Sequence, residues 1–418
     1  MLLQTILNRV HEIKGFVYGA VRLGEWNGDP TLEVEVRPRA GSRGICSGCG
    51  KKRPGYDRLE TRRFEFLPLW GHRVFLRYRM RRVACPACGV TVERVPWAEG
   101  KSETTLRYEW YLAGWAKRLA WQEVASAFHT SWHVVSQAVE RAVAWGRAHL
   151  KLDGIQALGI DEMQYGRGHQ YLTAVYQIDE GNRRLLWVGE KRTVKTLLRF
   201  FRWLGEERSA RVRYVCSDMW KAYLSVVKKK AGQALHILDR FHIVAHMNKA
   251  VDEVRAEEAR ELSRAGQGEV LKRSRWLFLK RAENLTAKQG ERLAEIVRHN
   301  LRTVRAYLLK EEFQLFWEYS SPWWAGRFLD SWCEKTMRSR IEPMKRVARM
   351  VRSHRELIVN WFRARKALSS GVVEGLNNKA KLTMKKAYGY KSFHTLEIAL
   401  YHTLGNLPEP KFTHRFFG

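Results

Sequence analysis

The sequence predicts a multidomain α/β chain, and three observations carry that prediction. Two Cys-x-x-Cys pairs lie near the start, a helical period follows them, and from Ala157 onward apolar strands alternate with helices and end on carboxylates. Strands joined through helical crossovers imply a mixed sheet covered by helices, and the paired cysteines imply a small metal-held unit ahead of it.

The first unit, residues 1–96, takes its character from Cys46-Ser-Gly-Cys49 and Cys85-Pro-Ala-Cys88. Two cysteines separated by two residues on a tight knuckle point both sulfurs at one ion, and two knuckles complete the tetrahedral set that Zn²⁺ favours, about one ion per chain. Gly50 and Gly89 follow the pairs and suit the turn of each knuckle. Two disulfides are the alternative, disfavoured in a reducing compartment. Between the pairs, Phe64, Phe66, Val74, Phe75 and Tyr78 interleave with arginines and read as short ribbon strands. Arg62, Arg63, Arg79, Arg81 and Arg82 form a surface suited to phosphates. Cys216 and Cys333 stand apart and read as buried small hydrophobes.

Residues 97–152 read as a helix-turn-helix unit. In WQEVASAFHTSWHVVSQAVERAV, Val124, Ala125 and Phe128 share one inner face, and Val134, Val135, Ala138 and Val139 share the next. The segment from His129 to Ser131 supplies a turn and a cap. A second helix of this kind enters a DNA major groove, which makes Trp132, His133 and Gln137 the candidate readers. An ordinary helical hairpin has the same periodicity.

From residue 153 the period changes to strands. ALGIDE reads as an apolar strand ending on Asp161, YLTAVYQI as a second strand and RLLWVG as a third. A helix over Thr193 to Leu204 follows, then the strand VRYVCSD ending on Asp218 and the strand ALHILD ending on Asp239. This is the order of a ribonuclease-H-like α/β fold, with its acids where an open sheet presents its crevice. Hard carboxylate oxygens at neighbouring strand ends suit Mg²⁺ or Mn²⁺, and about two such ions support phosphodiester cleavage when a third carboxylate completes the set.

That third acid is sought in SSGVVEGLNNKAKLTMKKAYGY. A helix from Val372 to Lys386, capped by Ser369 or Ser370, puts Glu374, Asn377, Asn378, Lys381 and Lys385 on one polar face, with Val373, Leu376 and Ala380 toward the other. Glu374 then serves the metals while Lys381 and Lys385 serve the DNA. Alternatively, Glu374 complements the helix N-terminus.

Between Asp218 and Glu374 lie far more residues than one strand and one helix require. Residues 251–366 read as an all-helical insertion containing Trp276, Trp317, Trp323, Trp324, Trp332 and Trp361. Most of these suit core packing; Trp323 and Trp324, in SSPWW, read as loop residues available to stack on bases. Residues 367–418 read as C-terminal helices of the α/β core.

Composition bounds the function. Lysine and arginine number 75 against 43 acidic residues, a formal charge of +32, with a pI near 10.2. That balance implies a polyanionic partner. At 418 residues, 45% apolar and 12% aromatic, the chain is not a disordered basic tail. With no cationic leader before an apolar run and no long uncharged span, the expectation is a soluble cytoplasmic protein without a membrane partner.

The fragments CSGC, CPAC, GIDE, CSDMWKAY, LDRFHIV and VVEGLNNKAK, together with the helix-turn-helix, resemble the DDE transposases of the ISL-three insertion-sequence family over nearly the whole chain. The resemblance implies a catalytic triad of Asp161, Asp218 and Glu374. It also implies double-stranded DNA partners, namely terminal inverted repeats and target DNA, with strand cleavage and transfer and no nucleotide cofactor. At least a dimer is expected on DNA, because two ends must be joined. By the same resemblance, Asp239 and His242 position the scissile phosphate or attacking water; alternatively they cap the helix expected at Phe241. Two other functions fit less of the chain: a transposase-derived DNA-binding regulator, against which three intact acids argue, and a stand-alone nuclease of the same fold, against which two DNA-reading modules argue.

Overall fold

The computed structural model describes residues 2–166, 168–365, 371–386, 390 and 392–412. Cα packing divides the chain into two units, one formed by residues 1–151 and 383–418 and the other by residues 152–382.

The first unit begins with helix α1 (Leu3–Val10) and strands β1 (Phe16–Trp26), β2 (Asp29–Pro38), β3 (Gly44–Ile45), β4 (Lys52–Arg53), β5 (Gly55–Leu69), β6 (His72–Cys85) and β7 (Gly89–Val92). The main sheet runs β1-β2-β6-β5, with β7 added beside β6. All of its pairs are antiparallel except β2 with β6. Strands β5 and β6 span 15 and 14 residues, longer than the short ribbon strands expected from sequence. The reason is that period-2 alternation continues well beyond the cysteines. Phe64, Phe66, Val74, Leu76, Tyr78 and Met80 all enter one core with Val34, Val36 and Trp97, while arginines alternate outward. Trp70 and Gly71 turn the hairpin with φ of 51° and 80°, the positive pair required by a two-residue turn that matches strand twist.

Helices α2 (Leu106–Ala116), α3 (Trp121–Ala127) and α4 (Trp132–Ala148) follow. Thr105 caps α2 and Ser131 caps α4 by accepting from the backbone N–H groups of Tyr108 and Val134. His129, at φ 51°, reverses the chain between α3 and α4. Val124, Ala125, Val135, Ala138 and Val139 are fully buried, as the helical period predicts.

The second unit contains β8 (Ala157–Gly166), β9 (Gln170–Asp179), β10 (Asn182–Glu190), helices α5 (Val194–Leu204) and α6 (Glu206–Arg211), β11 (Tyr214–Ser217), α7 (Lys221–Lys230) and β12 (Leu235–Leu238). The sheet order is β10-β9-β8-β11-β12, with the first three strands antiparallel and the last two parallel to β8. Leu158, Ile160 and Val175 face a core shared with Leu197, Phe200 and Leu204 of α5 and Tyr223 of α7. Strand β8 does not end at Asp161. Antiparallel pairing with β9 carries it through Glu162, Met163 and Gln164, so Asp161 lies in mid-strand.

Eight more helices complete the chain: α8 (Arg240–Arg264), α9 (Arg275–Leu279), α10 (Ala287–Val297), α11 (Arg302–Gln314), α12 (Pro322–Arg338), α13 (Glu342–Ser353), α14 (Arg355–Arg363) and α15 (Gly371–Lys386), before a final α16 (Phe393–Leu404). Helices α8 to α14 share one apolar core that includes Met247, Phe278, Phe313, Trp332 and Phe362. The boundary expected at residue 251 falls inside α8, which continues unbroken from beside β12 into this bundle. Trp332 is 1% exposed and Trp317 and Trp361 pack against the core, but Trp276, Trp323 and Trp324 are exposed. SSPWW is not a loop: Pro322 opens α12 at its first helical position, where a fixed φ and a missing N–H are tolerated, and the two tryptophans occupy the first turn. The last segment expected with the α/β core, residues 367–418, divides between the two units after Leu382. Residues from Thr383 onward cluster with the first unit, where α16 packs on α4. No helix among the described residues is long and apolar enough to cross a membrane.

Candidate active site and zinc centre

Strand β6 delivers Cys85 to the end of the long hairpin, and β3 delivers Cys46 opposite it. The ligand atoms of Cys46, Cys49, Cys85 and Cys88 all lie within 4.8 Å of one another, and the Cys49 and Cys85 sulfurs are 3.6 Å apart. A tetrahedral ion with Zn–S bonds of about 2.3 Å requires sulfur separations near 3.8 Å, so the set fits. Gly50 and Gly89 have φ of 69° and 74°, as the two knuckles need. Gly48 is similarly constrained, because a Cβ there would stand 2.9 Å from the Cys88 sulfur. All six cysteines are free thiols, and Cys216 and Cys333 are buried as expected.

Several outward arginines beside this centre are already engaged. Arg81 is nearly buried, paired with Glu93 and donating to the Ser42 carbonyl, which withdraws it from the expected phosphate surface. Arg63 shares Glu33 with Arg77, and Arg82 pairs with Asp57. Arg62 donates to the carbonyls of Lys101 and Ser102, while Arg79, exposed, donates to the Leu59 carbonyl. On α4, Trp132, His133 and Gln137 are all exposed along the first two turns, and Gln137 meets the His133 ring at 2.9 Å.

In the α/β unit, register brings the acids together. The parallel ladder pairs Ser217 with Ile160, and Leu238 with Ser217. One residue further along these three neighbouring strands stand Asp161, Asp218 and Asp239. Asp161 is half-buried, and desolvation raises its carboxyl above the ordinary range; Asp218 adds to the rise, while the Glu162 backbone N–H, His242 and Asn377 oppose it. Glu162 is pushed up to about 7, chiefly by burial, although Arg192 pairs with it. Arg192 itself is pinned over the rings of Tyr171 and Trp220, each at 5.2 Å. One oxygen of Glu162, Oε2, is buried with no hydrogen-bond partner among the described residues. Asp218 accepts from the Trp220 backbone N–H, and Asp239 caps α8 by accepting from the Phe241 N–H at 2.7 Å. Asp239 thus caps α8, a helix that starts at Arg240, and a positive charge on His242 favours the ionised forms of Asp161 and Glu162.

Helix α15 lies directly on the Asp161 face of β8. A Cβ on Gly159 would stand 2.5 Å from Cγ2 of Val373, so only glycine permits this approach. One turn further along the helix, Asn377 donates to Asp161 Oδ2 at 2.5 Å and accepts from the Tyr176 hydroxyl at 2.8 Å. Asn377 is 6% exposed, not on the wet face. It sits at the edge of the stripe formed by Val373, Leu376 and Ala380, and its amide enters the interior because both of its ends are satisfied there. Sequence periodicity missed this role; the available signal was its four-residue step from Val373. Glu374 is exposed in the first turn of α15, and Lys381 and Lys385 are exposed further along. The expected caps Ser369 and Ser370 lie outside the described residues. Among the described residues the four cysteines, and not the three acids, form a set whose ligand atoms all fall within 4.8 Å.

A zinc-ribbon unit ahead of an α/β unit with acids aligned across parallel strands defines a class of DNA-processing proteins, and comparison specifies it. Residues 158–400 match the ISL3 family model described as a transposase. Residues 42–88 match the zinc-finger of transposase IS204/IS1001/IS1096/IS1165. The chain belongs to the ISL3 family of insertion-sequence transposases. It is 31% identical over 379 residues to the transposase for insertion sequence element IS1001 of Bordetella parapertussis, covering 90% of this chain and 92% of that relative. It is also 31% identical over 403 residues to the transposase for insertion sequence element IS1557 of Mycobacterium tuberculosis, covering 90% and 89%.

Proposed function

We propose that this transposase binds the terminal inverted repeats of its element and performs metal-dependent strand cleavage and strand transfer through Asp161, Asp218 and Glu374. The observation that carries the reading is the β8–β11 register, which sets the first two acids side by side on adjacent parallel strands. The strand order, three antiparallel strands followed by two parallel ones, supports a ribonuclease-H-like core.

The residues fit hard divalent cations: a half-buried aspartate beside a second aspartate, and a buried carboxylate oxygen on Glu162 with no partner among the described residues. Asp161 and Asp218 would hold Mg²⁺ or Mn²⁺, with Glu374 joining them from α15. About two ions held there supply nucleophile activation and leaving-oxygen stabilisation. Asn377 fixes the orientation of the Asp161 carboxylate by donating to Oδ2, and Tyr176 fixes the amide in turn. Arg192 holds Glu162, and His242, in the first turn of α8, orients a phosphate oxygen or the attacking hydroxyl. Lys381 and Lys385 contact the DNA backbone from the exposed side of α15. The zinc ribbon and the α3–α4 pair, used as a helix-turn-helix with Trp132, His133 and Gln137 outermost, read the repeat. Joining two ends calls for at least a dimer on DNA.

The test is strand cleavage and joining of labelled repeat ends in Mg²⁺. Asp161→Ala, Asp218→Ala and Glu374→Ala should each lower the rate by orders of magnitude while repeat binding survives. Near wild-type cleavage by Glu374→Gln, with Glu162 or Asp239 essential instead, would remove Glu374 from the triad.

A further inference from the structure

We propose that a cavity beside the first turns of α8 receives a single unpaired nucleobase of the processed DNA, a specificity element that rests on the DNA-cleaving reading above. The cavity measures about 280 Å³ and opens between the N-terminal half of α8, the segment following α9 and the end of α11. Its walls combine the three chemistries that hold a nucleotide. Arg240, Lys280 and Arg281 supply positive charge for flanking phosphates. Phe241 and Trp317 supply aromatic surface for stacking. Asn248 supplies an edge to read, because its Oδ1 is buried and has no hydrogen-bond partner among the described residues.

That acceptor separates a ligand site from a packing gap. An uncompensated buried carbonyl oxygen is costly, and an occupant that donates a hydrogen bond removes the cost. An exocyclic amino group on adenine, cytosine or guanine is such a donor. The walls are also set in advance. Trp317 is held edge-on by Phe313, Phe316 and Trp361 at ring distances of 6.1, 4.8 and 5.3 Å. Phe241 is 42% exposed, and the Arg240 guanidinium lies 5.6 Å from its ring centre, so charge and ring form one surface. The space falls just below the roughly 300–1,000 Å³ of drug-sized sites, which suits one base and excludes a stacked pair. Phe241 adjoins His242 and follows Asp239 by two residues, so the cavity shares the first turns of α8 with the acidic site.

Fluorescence anisotropy without added Mg²⁺ or Mn²⁺ tests the proposal with full-length protein and two DNAs: a fully paired terminal repeat, and the same repeat with a short single-stranded overhang. Phe241→Ala and Asn248→Leu should each weaken overhang binding about tenfold while leaving paired DNA within about twofold. An overhang of abasic nucleotides should bind wild type as weakly as the variants bind the normal overhang. Equal loss on both DNAs, or no loss on the overhang, overturns the proposal. Because no strand is cut without Mg²⁺ or Mn²⁺, this readout is independent of whether Asp161, Asp218 and Glu374 prove catalytic.

Discussion

Replacing Asn377 with alanine tests the link between α15 and the acidic strand. The side chain donates to the half-buried Asp161 carboxylate at 2.5 Å and accepts from a fully buried tyrosine hydroxyl at 2.8 Å. A hydrogen bond to a charged group contributes about 1.5–3 kcal/mol, and an orphaned buried hydroxyl costs a further 1–3 kcal/mol or so. Asn377→Ala should therefore destabilise the α/β unit by about 3 kcal/mol, or roughly 6–12 °C in the melting temperature of a unit this size. Asn377→Asp keeps the acceptor for Tyr176 but sets a second carboxylate against Asp161. It should melt low without added divalent cation and regain more stability than wild type when Mn²⁺ is added, because the cation offsets the added repulsion. Differential scanning fluorimetry with and without Mn²⁺ reads both effects. If Asn377→Ala melts within roughly 2 °C of wild type, the bridge contributes little and α15 is positioned by apolar packing alone.

Two further predictions concern metal and pH. Purified protein should contain about one zinc per chain, lost in Cys46→Ser and Cys85→Ser together with the fold of residues 42–88; a folded ribbon without zinc would refute this. Burial holds His236 to about 4 and His402 to about 3, against an ordinary 6.5, so the unfolded chain binds more protons in the interval. The stability these histidines support is present above pH 6.5 and is lost as pH falls toward 4. For His236 the loss is about 2 kcal/mol between pH 7 and pH 5. Urea midpoints should show it, and His236→Gln should flatten the slope; an unchanged slope rejects the assignment.

The zinc centre was legible because its information is local: two residues between cysteines and a glycine after each pair suffice to define a knuckle. The alignment of Asp161 with Asp218 was legible from apolar strands followed by acids, although the end of β8 was misplaced because its extension is set by pairing with β9, which leaves no mark on β8 itself. Asn377 was hidden for a different reason. Steps of three and four place it equally well beside Glu374 or beside Val373, and only the partners on β8 and β9 decide between them. Strands β1 and β2 lie outside the elements the sequence predicts, and β5 and β6 run longer than it predicts, because their outward arginines are one phase of a long alternation and not only a charged surface. Arg81 shows the cost of that reading, since its charge is consumed by Glu93.

The contact between Gly159 and Val373 works as a spacer. The missing Cβ sets how closely the strand bearing Asp161 and the helix bearing Glu374 can approach, and valine, stiff at χ1, cannot swing aside to admit one. Gly159→Ala should therefore push the two acids apart without touching either of them. Across related chains the two positions should trade volume: where residue 159 gains a side chain, residue 373 should shrink to alanine or glycine, so that the width of the gap between the carboxylates is kept while the atoms that set it change hands.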